Sequence, residues 1–97
     1  ANEGIMGGWR SGVGFSELEG PAYGLINPKQ KFSNMAEVAK ADPELAGEIF
    51  KAAGEIASEN GLESYRMNVN TGAAAGQSVF HAHLHLLAGR SFAWPPG

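Results

Sequence analysis

His81, His83 and His85 are the only histidines of this 97-residue chain, and they lie within one five-residue stretch. Side chains two apart on a strand share a face. An extended run here would therefore carry three imidazoles in one row. Phe80, Ala82, Leu84 and Leu86 would form an apolar row on the other side, as a half-buried strand requires. Leu87 breaks the alternation. Three readings fit such a row: a polar solvent face, a metal site built on neutral imidazole, or catalysis by imidazole as nucleophile or general acid/base.

The flanks weigh on the choice. Gly76, Gln77 and Ser78 precede the row. Glycine admits a ligand close to the backbone, glutamine offers an amide and serine a hydroxyl. These groups suit phosphate oxygens and a leaving group better than a metal shell. The chain has no cysteine, and no acidic residue lies within ten positions of the row on either side. A metal shell would need distant carboxylates or a partner chain. Residue chemistry therefore favours phosphate-directed imidazole catalysis and leaves metal binding as the alternative.

The elements that must position these groups can be read from pattern. Residues 64–70, SYRMNVN, alternate as a strand, with Tyr65, Met67 and Val69 on one face and Arg66, Asn68 and Asn70 on the other. Residues 71–75 form a small-residue turn into the histidine strand. The two strands should be neighbours, with Asn70 close to Gly76, Gln77 and Ser78. Residues 42–60 predict the main helix, with Asp42 as N-cap, Pro43 at the first helical position and Glu44 in the first turn. Leu45, Ile49, Ala52, Ala53 and Ile56 make its apolar stripe, and Asn60-Gly61 stops it. Gly47 and Gly54, with Ala46, Ala53 and Ala57, would let another backbone approach. A short helix falls within residues 32–41, capped by Ser33 or Asn34. Residues 21–28, PAYGLINP, predict a strand with Tyr23, Leu25 and Asn27 on one face. Residues 1–20 read as a glycine-rich arm containing Ile5, Met6 and Trp9, with a short strand over 13–18 that places Val13 and Phe15 together. The tail, SFAWPPG, is irregular because of Pro95-Pro96, with Trp94 buried against something.

A chain of this length supports one small domain, and its modest core makes oligomerisation plausible. The formal net charge of −3, without a basic run, argues against a nucleic-acid groove. There is no apolar run near the roughly 18 residues of a membrane span. A soluble, cytoplasmic protein is the expectation.

The run 81–87, HAHLHLL, matches H-φ-H-φ-H-φ-φ and resembles the signature of the histidine triad (HIT) family. YRMNVN, GQSVFHAHLHLLAGR and the closing WPPG are similar to its Hint branch, the histidine triad nucleotide-binding proteins. The resemblance runs from about residue 21 to 97, which would form the HIT-like domain after the 1–20 arm. It implies an α+β fold: an antiparallel sheet with helices, in a homodimer whose sheets join. It also implies phosphoramidase chemistry on purine nucleoside phosphoramidates, with no metal or other cofactor required. His83 would attack the α-phosphorus, and water would release the nucleoside monophosphate from a nucleotidyl-histidine intermediate. His81 and His85 would stabilise phosphate oxygens and help proton transfer. Ser78 would bond the leaving-group side. Gly76, Gln77 and Val79 would surround the nucleotide phosphate, Asn70 would support the site, and Trp94 would reach a partner's site. A HIT-like protein that binds nucleotide without turnover is the alternative. The chain departs from the family pattern in two places. Residues 1–20 lack the family's two-strand base clamp and its Asp, for which Glu17 or Glu19 would have to substitute. Tyr23 stands where the family often has a further histidine.

Overall fold

The computed structural model describes residues 12–17 and 22–97. The expectations for Ile5, Met6, Trp9, Leu18, Glu19 and the side chain of Tyr23 lie outside the described residues. In chain order the elements are β1 (Val13–Glu17), β2 (Ala22–Pro28), α1 (Met35–Ala41), α2 (Pro43–Glu59), β3 (Arg66–Asn68) and β4 (Leu84–Leu87). A single 3-10 turn over Ala73–Ala75 lies between β3 and β4. The strands form one antiparallel sheet in the order β1-β2-β4-β3, with helices on one face, so the architecture is α+β.

Local chemistry sets the helix limits. Asn34 accepts from the Glu37 N–H at 2.9 Å, and Asp42 accepts from the Leu45 N–H at 3.1 Å. Each side chain satisfies one of the amide donors that an N-terminus leaves unpaired. Pro43 occupies the first turn of α2, where its missing N–H costs nothing. At the other end, Gly61 takes φ +70°. The Leu62 N–H then reaches Ala57 O at 2.9 Å, and the Gly61 N–H reaches Ser58 O at 3.2 Å. This pair of bonds is the Schellman termination, and Leu62 packs on the core behind it.

The apolar stripe of α2 covers the sheet. Leu45, Ile49, Ala52, Ala53 and Ile56 pack with Val38 of α1 against Val13, Phe15, Ile26, Ala82, Leu84 and Leu86. Among the described residues, Gly47 and Gly54 have no neighbouring atom within 4 Å of where a Cβ would stand, so no described backbone approaches there.

Two strands are shorter than their sequence pattern. β4 pairs only over Leu84–Leu87, and the preceding residues, with bends at Val79 and His81, lie outside the ladder. Phe80 consequently falls outside the buried row and is 55% exposed. The inside–outside alternation runs from His81 to Ala88, past Leu87, because the residues after β4 keep its pleat. β3 holds three residues, with only Met67 reaching the core; Tyr65 and Val69 lie beyond its ends and are exposed. β3 and β4 do pair, as expected, but through a long connection that carries the Gly76–Ser78 segment.

Val13–Glu17 pairs along its length with residues 24–28. A boundary at residue 20 would cut between two hydrogen-bonded strands, so this part of the supposed arm belongs to the domain. β2 carries a bulge between Ala22 and Gly24, where its register against β4 shifts by one. Gly24 lies under the Phe15 ring: an added Cβ would collide with Phe15 Cε1 and Cζ and stand 3.1 Å from Ser16 O. Phe15 is fully buried and Ser16 O is backbone, so neither yields easily. Gly24→Ala is expected to destabilise by about 1–3 kcal/mol through overpacking. Urea denaturation should show a lower midpoint with an unchanged slope.

Candidate active site

Directly opposed residues of an antiparallel pair share a face. The pairings Ser16↔Leu25, Leu25↔His85 and His85↔Asn68 therefore draw one row across all four strands. Gly14 and Asn27 face each other one step along the same side. This is the sheet face opposite the helices. His81, His83 and His85 stand on it because Ala82, Leu84 and Leu86 are buried on the other.

Ahead of the ladder, other bonds hold the histidine segment. The Ala82 N–H donates to Phe32 O at 2.7 Å. His81 Nε2 lies 2.8 Å from Pro28 O. His83 Nδ1 lies 2.7 Å from the backbone oxygen of His81. A carbonyl oxygen only accepts, so His81 carries a proton on Nε2 and His83 carries one on Nδ1. Neutral His83 then presents Nε2 as a bare lone pair. The His83 and His85 rings are 5.0 Å apart between centroids and inclined by 41°. Burial pushes the His85 pKa below its ordinary value, and the neighbouring His83 pushes it the same way.

A cavity of about 150 Å³ opens beside His81 and His83, bounded by Ser16, Leu25, Asn27 and Val79. It joins a nucleophilic nitrogen to a largely apolar recess. Such an arrangement can bind the flat or apolar part of a substrate and attack an electrophilic centre at its mouth. Ser16, Leu25 and Asn27 were not singled out by sequence motif. The signal was the shared face of Leu25 and Asn27, which gains meaning only once β2 is known to lie beside β4.

The other expected residues separate into two groups. Val79 lines the cavity, and Ser78 beside it is exposed. Gly76 takes φ +97°, and Asn70 Nδ2 sits 3.6 Å from where its Cβ would be, so Asn70 does adjoin the Gly76–Ser78 segment. Asn70 Oδ1 accepts from Asn68 Nδ2 at 3.0 Å. Gln77 turns the other way. It is 4% exposed, its Nε2 donates to Ser33 O at 2.7 Å and Val79 O at 3.1 Å, and its Oε1 accepts from the Gly72 N–H at 2.9 Å. The amide ties the loop to the entry of α1 and is not presented to a ligand.

Trp94 is 86% exposed, so within this chain it is not buried against anything. Arg66 fastens the tail around it, donating from Nη1 to Pro96 O at 2.9 Å and from Nη2 to Ala93 O at 3.2 Å. Arg66 and Arg90 both lie over the Phe92 ring. The wider cavity at this end, about 430 Å³, is bounded by Arg66, Arg90 and Phe92 but by none of the histidines. Among the described residues no three His, Cys, Asp or Glu side chains gather closely enough to hold a metal ion. Nor is any described helix long and apolar enough to cross a membrane.

Comparison with known proteins adds family context. A family model described as the HIT domain matches residues 19–92. A HIT-like protein of Synechococcus elongatus is 45% identical over 80 residues, covering 81% of this chain and 70% of that protein. The crystal structure of a HIT family hydrolase from Legionella pneumophila superposes with a TM-score of 0.81 at 34% identity, covering 91% of this chain and 83% of that one. A HIT family hydrolase from Clostridium thermocellum superposes with a TM-score of 0.67 at 30% identity, covering 81% of each chain.

Two outcomes follow from this geometry. In an NMR titration His85 should have its midpoint below the free value of about 6.5, and His83→Gln should raise it. The sign for stability follows from proton uptake. The folded state holds the His85 proton more weakly than the unfolded state, so its penalty is absent above about pH 6.5 and grows as pH falls through the lower folded midpoint. Gln77→Ala, which removes three hydrogen bonds to part-buried backbone groups, should lower stability by about 1–3 kcal/mol in urea denaturation.

Proposed function

The chain belongs to the HIT family, and from that premise we propose that it is a hydrolase acting at the α-phosphorus of nucleotide derivatives, of the Hint-type nucleoside phosphoramidase class. The observation that carries this reading is the 2.7 Å bond from His83 Nδ1–H to the His81 carbonyl. It leaves Nε2 unprotonated beside the cavity, as a nucleophile must be. That similar solved structures are named HIT family hydrolases supports the class of reaction.

The steps balance without an added group. The Nε2 lone pair of His83 forms a bond to the α-phosphorus, and the bond from phosphorus to the leaving amine breaks. The departing amine takes up a proton. Water then attacks the same phosphorus, the phosphorus–nitrogen bond to His83 breaks, and the water's proton is released as nucleoside monophosphate leaves. Charge accumulates on the phosphate oxygens in both steps. The N–H donor of His85 serves those oxygens, the Nε2–H of His81 being held by Pro28 O, and the Ser78 hydroxyl serves the leaving group. Donors already in place at developing charge contribute most in sites of this kind. The backbone around Gly76, Gln77 and Val79 borders the phosphate, Asn70 supports that segment, and Leu25 and Val79 wall the base. No metal or other cofactor takes part. The ligand class is a purine nucleotide or nucleoside phosphoramidate.

The active form in this reading is a homodimer. β3 is an edge strand of the described sheet, and Trp94 stands exposed beside it, where a second copy could cover both.

Release of AMP from adenosine phosphoramidate tests the reaction. Wild type should turn over, and His83→Asn should lose activity by on the order of 10³-fold or more while keeping its thermal midpoint. Wild type given substrate radiolabelled in its phosphate and quenched in alkaline denaturant, where a phosphorus–nitrogen bond to histidine survives, should retain label on His83. A folded wild type that binds AMP but never releases it from substrate would instead indicate a nucleotide-binding protein without turnover.

A further inference from the structure

The histidine row explains His83, yet what holds His81 beside it is not in the row. Pro28 O receives two side-chain groups: His81 Nε2 at 2.8 Å and Asn27 Nδ2 at 3.0 Å. Those two nitrogens are 3.5 Å apart. Two proton arrangements are conceivable. With Nε2 bare, it would accept weakly from Asn27 across 3.5 Å while its lone pair faced the Pro28 oxygen at 2.8 Å. With Nε2 protonated, both nitrogens donate to the two lone pairs of a single carbonyl. The shorter distance selects the second arrangement, and the 3.5 Å approach is then the spacing of two donors converging on one acceptor.

The backbone makes room for this. Gly14 opposes Asn27, and an added Cβ there would stand 3.2 Å from Asn27 Oδ1. Asn27 borders the cavity, and no hydrogen bond to its Oδ1 forms among the described residues. The route onward is short: the ring of His81 is tied to Pro28 O, and the backbone oxygen of His81 orients the His83 ring.

We propose that Asn27 is a positioning residue: its Nδ2–H holds the Pro28 carbonyl in the direction from which that carbonyl accepts the His81 Nε2–H, and through the His81 backbone it holds His83 in register with the cavity. The catalytic consequence rests on the reaction proposed above; the tautomer does not. Among the described residues the Asn27 side chain donates to the neighbouring carbonyl alone, and it lies outside the buried core, so its replacement leaves the packing intact.

The test separates the two levels. Long-range ¹H–¹⁵N spectra of imidazole-labelled wild type should show His81 as the Nε2–H form, and Asn27→Ala should convert it to a mixture of tautomers. Asn27→Asp sets a carboxylate where the amide stood, near Nε2. In that variant the His81 titration should move upward from that of wild type, because a neighbouring opposite charge favours the imidazolium. In AMP release, Asn27→Ala should lower kcat about tenfold with little change in KM. A wild-type His81 in the Nδ1–H form would overturn the proposal. So would Asn27 variants whose His81 spectra and titration match wild type. If the spectra change as stated but wild type releases no AMP, the positioning role stands and the phosphoramidase reading fails.

Discussion

Leu84 and Leu86 are fully buried under α2. Side chains alternate along an extended chain, so that burial commits His83 and His85 to the opposite face. A slip of one residue would drive imidazoles into the core and expose leucines, and the hydrophobic energy of the whole α2 interface opposes it. The precision of the site is thus borrowed from the core. β4 lies between β2 and β3, so His85 stands between Leu25 of β2 and Asn68 of β3.

Electrostatics refines what packing places. Each histidine of the row has a different environment. His81 donates to Pro28 O, His83 donates to the backbone of His81, and His85 is held toward neutrality by burial and by His83. Three chemically identical side chains two residues apart are thereby made unequivalent. For His81 and His83 the distinction comes from backbone carbonyls, which can only accept. The partly apolar recess beside them strengthens each of these bonds by keeping the local dielectric low.

The flanking segments are tied down from outside the row. Gln77 closes its loop on Gly72 and links it to Ser33 before α1, and Val79 two residues on stands at the cavity. At the opposite end, Arg66 secures the tail through two backbone oxygens and stacks on Phe92. Trp94 projects from this fastened tail rather than folding onto it. The family match begins at residue 19, while β1, immediately before it, already belongs to the sheet and supplies Ser16 to the cavity.

Much of this architecture was legible in the chain's order. Both helix N-caps, the glycine stop after α2, the α2 stripe and the two faces of the histidine run depend on residues a few positions apart. Their physics is local, and so is the sequence pattern that reveals it. The tertiary structure alone decided the rest. It set how little of the alternating runs enters the ladder, leaving Phe80, Tyr65 and Val69 exposed. It turned the Gln77 amide inward, where its groups meet Ser33 O from 44 positions away and the backbone of its own loop. It brought Asn27 and His81, 54 positions apart, onto one carbonyl. Periodicity tells which side of a strand a residue occupies. It does not tell which strand lies alongside, and the chemistry of this site is made between strands.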